Sequence, residues 1–279
     1  MTNAAAVRGK LYVVGTPIGN LGDFSPRARD ALASADLIAA EDTRRTRGLL
    51  STIPAEKHVI AYHEHNEEQR VGELLNRLTA GETVALVSDA GTPLISDPGW
   101  RLVRAAHAAG IEVVPIPGPS AVLAALCAAG LPTDRFVFEG FLPRKAGPRA
   151  ERLSTLAAES RTIVLFEAVH RIPETLTALV EAFGAARPAV LARELTKLHE
   201  SFYPAPLGEL AKRVGADIPL LGEFVLVVAG NSDAQSPDEA RARQIFELLR
   251  AELEPDKALR LTAEITGMPR NALYRLVRT

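Results

Sequence analysis

The sequence contains a single cysteine and one tryptophan, and aromatic residues make up only 5% of the chain. One thiol forms neither a disulfide framework nor a thiolate metal site. Cys127 lies among alanines and leucines in "AVLAALCAAG", so we expect it to be a small, buried packing residue.

Long hydrophobic runs are also missing. No apolar stretch approaches the roughly 20 residues that a membrane-spanning helix needs. The first residues do not combine a basic patch with an apolar run of secretory length. We therefore expect a cytoplasmic protein that does not contact a membrane.

Neither sign of charge predominates, because 32 Lys and Arg residues are balanced by 34 Asp and Glu residues, for a net charge of -2. This excludes a uniformly basic nucleic-acid binder but not local basic patches. Two such patches occur, in "RRTR" and in "PRKAGPRAER", and their cations are able to hold phosphates or to serve as ordinary solvated charge. The candidate RNA-binding residues are Arg44, Arg45, Arg47, Arg144 and Lys145.

Short β-branched runs alternate with longer Ala-, Leu- and Arg-rich segments, which is typical of βα units with a largely parallel sheet. Ser25 before Pro26 and Asp97 before Pro98 each predict a helix start. The first predicted strands are "KLYVV", "DLIAA", "HVIAY", "TVALVSD", "IEVVPI" and "FVFEG". Together they predict an N-terminal α/β domain over residues 1–140.

A Gly-, Pro- and cation-rich segment at 140–149 interrupts this alternation and marks a domain boundary. A second α/β domain is expected over 141–235, with strands at "TIVLFE", "PAVLARE", "ESFYPA" and "EFVLVVAG". Residues 236–279 are expected to form a helical tail. Gly267 and Pro269 predict a turn between two helices, which is typical of a helix-turn-helix but also of a packing or dimerisation module.

Three Gly- and Pro-rich turns follow strands of the first domain, at "GTPIGN", "DAGTPLISDPG" and "PIPGPSA". The first is not a dinucleotide fingerprint, since its glycine spacing is wrong and Pro17 removes an N–H that a pyrophosphate cradle would use. In an open α/β sheet all three turns leave the carboxyl edge, where ligands bind. One ligand cleft lined by three turns is therefore predicted, with Gly15 and Pro17 in the first.

Several motifs in order, "GTPIGN", "AEDTRRT", "YHEHNE", "SDAGTPLISDPG", "PGPSA", "EGFLPRK", "FEAVHR", "RELTKLHE" and "GEFVLVV", resemble the tetrapyrrole methylase superfamily over essentially the whole chain. The resemblance implies a class III methyltransferase: two α/β domains with an S-adenosylmethionine (SAM) cleft between them, assembled as a homodimer. It further implies 2'-O-methylation of a cytidine in the decoding region of 16S rRNA, in the small ribosomal subunit.

The resemblance also implies where the cofactor is held. Many relatives have an aspartate at the position of Thr92, where this chain has a hydroxyl. The residues that match the cofactor contacts of the family are Gly91, Thr92, Pro93, Ile95, Ser120, Ala121, Phe166, Leu195 and Thr196.

A ribose hydroxyl becomes a good nucleophile only when its proton is removed or strongly hydrogen-bonded. The candidate proton acceptors are Asp42, His63, Glu64, Asp89, Glu167 and His170, and the sequence does not choose among them. Histidine has the most suitable pKa, yet His63 and His170 also fit packing roles at strand ends. His63 and His65 suggest a metal site, but no second His/Cys cluster accompanies them, so no metal is expected.

Two other functions remain open. One is methylation of a tetrapyrrole or a protein side chain, against which the basic linker and helical tail argue because a small substrate needs neither. The other is a DNA-binding module in which the helix-turn-helix reads DNA and the α/β part senses a ligand.

Overall fold

The computed structural model describes residues 9–53, 56–231 and 237–278. The first sheet is built from five strands, β1 (Lys10–Val14), β2 (Leu37–Ala40), β3 (Val59–Ala61), β4 (Val84–Val87) and β5 (Glu112–Ile116). Its helices are α1 (Pro26–Ser34), α2 (Thr43–Leu50), α3 (Glu67–Thr79) and α4 (Trp100–Ala108). The sheet order is β3-β2-β4-β1-β5, and every pairing is parallel, as the βα alternation predicts.

The start of α1 confirms its predicted signal, since the Ser25 side chain accepts a hydrogen bond from the Ala28 N–H at 3.1 Å. The first sheet has apolar packing on both faces. Leu32 and Leu50 contribute to the core on one face, and Leu74 and Leu102 contribute to the other. Strands buried on both faces explain the continuous apolar runs in the sequence.

The second sheet contains β6 (Phe136–Phe141), β7 (Thr162–Glu167), β8 (Pro188–Arg193), β9 (Ser201–Pro206) and β10 (Phe224–Val228). Its order is β6-β7-β10-β8-β9, with only β6 and β7 parallel. One face is covered by α6 (Ala146–Ala157), α7 (Ile172–Phe183) and α8 (Leu207–Arg213). The other is covered by α5 (Ala121–Ala129).

Two expectations about this region are wrong. The strand at "FVFEG" is expected in the first domain, but it pairs with β7 in the second sheet, and a boundary at 140/141 would cut it before its last residue. Its apolar residues match either sheet, and only the pairing decides. Cys127 is exposed rather than buried, because α5 buries Val122, Ala125 and Leu126 and turns Cys127 outward.

The predicted helix start at Asp97 is also wrong. Helix α4 begins at Trp100, with Gly99 as its N-cap. Leu94, Ser96 and Gly99 have φ values of 74°, 67° and 138°. Positive φ values are incompatible with a right-handed helix, so the chain cannot be helical before Trp100. Asp97 instead lines a cavity described below.

The tail forms α9 (Pro237–Arg250), α10 (Pro255–Thr266) and α11 (Arg270–Arg278). Gly267 ends α10 in the left-handed conformation, as the turn signal predicts. The three helices share a small core of their own, to which Phe246, Leu259 and Leu273 contribute. None of the helices within the described ranges is both long and apolar enough to span a bilayer.

Candidate functional site

The three predicted Gly/Pro turns lie together at the carboxyl edge of the first sheet. Thr16 and Gly91 form an antiparallel bridge, with N–H to O distances of 2.9 and 3.1 Å in the two directions. Gly15 and Gly118 are in backbone contact, and the Thr92 hydroxyl donates to the Pro119 carbonyl at 3.3 Å. The turns after β1, β4 and β5 therefore form one connected rim.

A cavity of about 530 Å³ lies between this rim and the second sheet. Ligand sites in proteins typically have volumes of roughly 300–1,000 Å³ with mostly apolar walls and a few polar groups. The walls are formed by Ile18, Glu41, Arg45, Asp89, Ala90, Gly91, Thr92, Ile95, Ser96, Asp97, Ser120, Ala121, Phe141, Phe166, Glu167, Ala168, Val169, Leu195, Gly222, Glu223, Phe224 and Val225.

Two apolar wall residues are held by unusual backbone on either side. Leu94 and Ser96 flank Ile95, with φ values of 74° and 67°, and Glu194 and Thr196 flank Leu195, with φ values of 52° and 65°. The left-handed region is unfavourable for side chains of this kind and is enriched at ligand sites. Ile95 and Leu195, which follow strands of different sheets and line the cavity, are thus each held between two residues with strained backbone.

Carboxylates gather where the strand connections change direction, between β2 and β4, which is the expected ligand position in an open parallel sheet. The Asp42 N–H donates to Asp89 Oδ1 at 2.8 Å, and the Asp89 N–H donates to Glu41 Oε2 at 3.3 Å. The Arg45 guanidinium pairs with Asp89 Oδ2 at 3.3 Å. Asp89 thus has fixed donors on both carboxylate oxygens.

Two other carboxyl groups of the cavity hold their protons more tightly than usual. The pKa of Asp97 is raised to about 6, mainly by burial and also by the nearby charges of Glu41 and Asp89, against the opposing effect of a Ser88 hydrogen bond. Burial also raises the pKa of Glu41, and the Asp89 charge adds to that shift. The cavity therefore contains one carboxyl group, Asp97, that changes protonation near pH 6, and a second, Glu41, whose pKa is also raised.

Most residues expected to contact the cofactor line this cavity. They are Gly91, Thr92, Ile95, Ser120, Ala121, Phe166 and Leu195. Gly15, Pro17, Pro93 and Thr196 do not line it. Gly15 instead allows the turns after β1 and β5 to come into backbone contact, and the Thr196 hydroxyl is buried without a hydrogen-bond partner next to Gly19.

Only two of the six expected proton acceptors line the cavity. Of the six, Asp89 and Glu167 line the cavity, whereas Asp42, His63, Glu64 and His170 do not. His170 and Glu64 are exposed. Asp42 caps α2, and hydrogen bonds from the Arg44 side chain lower the pKa of Asp42 to about 2, which makes it a very weak base.

Glu167 is buried in a hydrogen-bond network of its own. Its Oε2 accepts from the Thr175 hydroxyl at 2.6 Å and pairs with Arg171 at 3.4 Å, and its Oε1 accepts from the Ala168 N–H at 2.8 Å. These partners anchor the start of α7 to the end of β7. Such a carboxylate is engaged in holding the backbone that forms the cavity wall.

His63 lies in the turn before α3, with its ring 6.0 Å from that of His65. Its Nε2 is 3.3 Å from the Asn66 amide, and its Nδ1 is buried without a partner. Across 9–53, 56–231 and 237–278, no group of three His, Cys, Asp or Glu side chains is arranged to hold a metal ion.

The two basic patches differ in their relation to the cavity. Arg45 lines it, while Arg44 and Arg47 extend into solvent from the same helix. Arg144 and Lys145 are exposed between β6 and α6, a few residues after Phe141, which lines the cavity and is 54% exposed.

Two chemically active wall residues do not emerge from the sequence patterns alone. The pattern around Asp97 predicts a helix cap, although this residue lies in the Gly/Pro-rich stretch that marks the cleft, and Glu41 is not among the six candidate proton acceptors. The signal available for Glu41 is its position directly after β2, and the signal for Asp97 is its place in the connection that leaves the carboxyl end of β4. Phe141 and the 222–225 wall carry no such signal.

The family model described as Tetrapyrrole (Corrin/Porphyrin) Methylases matches residues 10–211. The chain belongs to the tetrapyrrole methylase family. A second model, described as the RsmI C-terminal HTH domain, matches residues 236–277, which include α9, α10 and all but the last residue of α11. The expected fold class, α/β with a helical tail, is confirmed, and the chain is a methyltransferase.

The similarity to curated relatives extends over nearly the whole chain. Ribosomal RNA small subunit methyltransferase I of Xylella fastidiosa (strain Temecula1 / ATCC 700964) is 52% identical over 95% of this chain and 98% of its own length. The protein of the same name from Escherichia coli O157:H7 is 49% identical over 96% of this chain and 94% of its own.

Solved structures of more distant proteins share the fold. Uroporphyrin-III C-methyl transferase from Thermus thermophilus, complexed with S-adenyl homocysteine, aligns with a TM-score of 0.56 at 21% identity, over 79% of this chain and 97% of that one. A cobalt precorrin-4 methyltransferase aligns with a TM-score of 0.58 at 19% identity, over 79% of this chain and 94% of that one.

Proposed function

We propose that the protein transfers a methyl group from SAM to the 2'-hydroxyl of a cytidine in 16S rRNA of the small ribosomal subunit. The observation that carries the proposal is the near-full-length identity to rRNA small subunit methyltransferases, which extends through the C-terminal helices. Methylases of small tetrapyrroles match only about 80% of the chain.

The cavity fits SAM in size and chemistry. Ile18, Phe166 and Val225 offer apolar walls for an adenine ring. Gly91, at φ 82°, has a backbone conformation that glycine favours, and a Cβ there would crowd the Ile18 side chain of the apolar wall at 3.2 Å. The carboxylates of Glu41, Asp89 and Asp97 favour a ligand with positive charge.

When bound, SAM supplies an electrophilic methyl group on a positively charged sulfur. The chain must then position the ribose hydroxyl and accept its proton as the oxygen–carbon bond forms and the carbon–sulfur bond breaks. Asp97 is the acceptor we propose. Asp89 is bound by Arg45 and by the Asp42 N–H, Glu167 is bound within the wall, and Asp97 has no ion pair in the described part of the chain.

Transfer of radiolabelled methyl from SAM to small ribosomal subunits, naked 16S rRNA and tetrapyrrole precursors tests the function. We expect labelling of rRNA and none of tetrapyrroles. An RNA whose target nucleotide lacks only the 2'-hydroxyl should bind and accept no methyl. If it is methylated as well as the normal RNA, the acceptor is a base atom and the ribose assignment is wrong.

Asp97→Asn tests the proton acceptor. The variant should lose kcat by about 10²- to 10⁴-fold, the usual contribution of general base catalysis. Its SAM affinity should change much less, which is the pattern expected for an interaction made in the transition state. Asp89→Asn serves as the comparison in the same wall, and a larger kcat loss there would transfer the role to Asp89.

We also propose that two copies associate, as the sequence resemblance implies. Helix α5 supports this, because Leu123, 55% exposed, and Cys127 lie one turn apart on its outer face. Association of two copies through this face would remove the Leu123 side chain from water. Light scattering should give a dimer, and Leu123→Glu should give a monomer. Maleimide labelling of Cys127 should be slow in the wild type and fast in that variant.

Affinity for rRNA is proposed to come from the basic patches and the tail, acting in the cytoplasm where ribosomal subunits are assembled. Arg44, Arg47, Arg144 and Lys145 are exposed, and Arg44 would exchange its ion pair with Asp42 for a phosphate. Removing charge at Arg144 and Lys145 should flatten the salt dependence of RNA binding. Deleting residues after 236 should weaken methylation of the subunit and spare SAM binding.

A further inference from the structure

Trp100 is the only tryptophan of the chain, and it is half exposed at the first position of α4. Two guanidinium groups accompany its ring. The Arg101 and Arg104 guanidinium carbons lie 5.1 and 5.0 Å from the ring centroid, which is within cation–π range. A half-exposed tryptophan with two guanidinium groups beside it offers both a stacking surface and positive charge, which favours a binding role.

The backbone beneath Trp100 is held by a buried carboxylate. Glu67, only 6% exposed, accepts hydrogen bonds from the Gly99 N–H at 3.0 Å and the Tyr62 hydroxyl at 2.9 Å. It also pairs with the Arg101 side chain at 3.4 Å. The network connects the end of β3, the start of α3 and the start of α4, so the aromatic side chain projects from a fixed position and not from a mobile loop.

The location is next to the cavity. Ile95, Ser96 and Asp97 line the cavity, and Trp100 follows Asp97 by three residues. Three residues of extended chain span at most roughly 11 Å, so the Trp100 Cα lies within that distance of the Asp97 Cα. A group bound at Trp100 is therefore about one or two nucleotides away from a group bound in the cavity.

We propose that Trp100, Arg101 and Arg104 form a platform on which an unpaired base of the RNA substrate stacks, beside the nucleotide that enters the cavity. The proposal rests on the proposed function. Bases stack on aromatic rings and on guanidinium planes alike, and target ribose groups must be displaced from their own stack to reach an enclosed site. The charges favour RNA over a protein partner, because Arg104 has no ion pair within the described ranges and is available for phosphate.

The single tryptophan makes the platform directly observable. Titration of the wild-type protein with a single-stranded oligoribonucleotide that contains the target sequence should quench its emission, and acrylamide should quench the complex less than the free protein. Emission and acrylamide access that stay unchanged at saturating RNA would overturn the proposal. Binding measured in parallel by anisotropy of labelled RNA shows whether saturation is reached.

Variants then measure the contribution of each part. Trp100→Ala should weaken RNA binding by about 5- to 100-fold, the range expected for one stacked base, and Trp100→Phe should restore most of the affinity. Arg104→Ala should weaken binding, whereas Arg161→Ala should not, because Arg161 lies before β7, at the strand end opposite Glu167 and the cavity. Melting temperature and SAM affinity should remain near wild type in all four.

Two further outcomes distinguish an RNA-stacking platform from a surface that docks a protein. If wild-type protein fails to methylate any rRNA substrate, the proposed function fails, while the quenching measurement still decides whether RNA contacts Trp100. If Trp100→Ala impairs methylation of assembled subunits but leaves binding to naked rRNA unchanged, the platform contacts a ribosomal protein, and the RNA assignment is wrong.

Discussion

Gly15 and Gly118 pack backbone to backbone where the turns after β1 and β5 meet. A Cβ on Gly118 would lie 2.8 Å from the Gly15 carbonyl carbon and oxygen, and one on Gly15 would lie 2.7 Å from the Gly118 nitrogen. Real Cβ atoms do not approach backbone this closely, and backbone atoms cannot rotate out of the way. Because neither residue has a side chain, the turns after β1 and β5 can meet at this short distance, and the cavity rim depends on that contact.

Gly118→Ala should therefore destabilise the protein by about 1–3 kcal/mol, the cost of overpacking a fixed site, and weaken SAM binding as the rim opens. Chemical denaturation and calorimetry measure the two effects. Gly72→Ala is the matched control, since nothing lies within 4 Å of the added atom and the position is inside helix α3. That change should stabilise the protein by roughly 0.5–1 kcal/mol. Equal stability of the two variants would contradict the packing argument.

The Asp97 carboxyl predicts a specific pH dependence. Its pKa is about 6 in the folded protein, against an ordinary value of 3.8, so the folded state binds the proton more tightly than the unfolded state. Ionisation of this group therefore lowers stability as pH rises from about 4 to about 6, and the loss is complete above pH 6. Asp97→Asn should be more stable than wild type at pH 8.

Melting temperatures from pH 3 to pH 8 test this sign. The advantage of Asp97→Asn should shrink as pH falls and vanish below the ordinary pKa of 3.8, where Asp97 is protonated in both states. Glu41, whose pKa is also raised, contributes with the same sign and persists in the variant, so some pH dependence should remain. A variant less stable than wild type at pH 8 would show that the Asp97 charge is stabilised in the fold.

Much of the fold follows from the sequence because local signals agree with the final packing. Continuous apolar runs, without alternating polar residues, predict strands that are buried on both faces. Ser25 predicts a helix start and Gly267 a helix end, and the structure confirms both. Assignment of a strand to a sheet is a different matter. Phe136–Phe141 carries the same apolar signal whichever neighbour it pairs with, so its place beside β7 depends on long-range contacts that no local pattern records.

The cavity edge was predictable, but the chemistry inside it was less so. Glycine and proline turns after strands identify a carboxyl edge, and the structure brings the three turns together. Which acid is available depends on its neighbours in space. Asp42 forms an ion pair with Arg44, Glu167 binds Thr175, and Asp97 remains without an ion pair in the described chain, and none of these partnerships follows from residue type alone.

The strained backbone beside Ile95 predicts that relieving the strain raises stability but weakens SAM binding. Ser96 has a φ of 67°, a conformation that glycine adopts without cost. Ser96→Gly should leave the cofactor-free protein as stable as wild type or up to about 1 kcal/mol more stable. SAM affinity should fall several-fold, because Ile95 is then held less firmly. The control is Ser34→Gly in helix α1, which should lower stability and leave SAM affinity unchanged. If Ser96→Gly also lowers stability, the backbone at Ser96 stores no strain.

The network around Glu167 separates a structural carboxylate from a catalytic one. Its oxygens are bound by Thr175, Arg171 and the Ala168 N–H, so Glu167→Gln should lower the free energy of unfolding by about 1–3 kcal/mol, as expected when a buried charge-assisted network is weakened. Thr175→Val removes one of the same bonds and should have a smaller effect in the same direction.

The same network predicts that Glu167 is not the proton acceptor. At temperatures where Glu167→Gln is fully folded, its kcat should remain within a few-fold of wild type. Removal of the exposed His170 side chain should change neither stability nor turnover. A hundredfold loss of kcat in Glu167→Gln at normal melting temperature would instead make Glu167 the proton acceptor, and Asp97 would then be left with a role in binding positive charge.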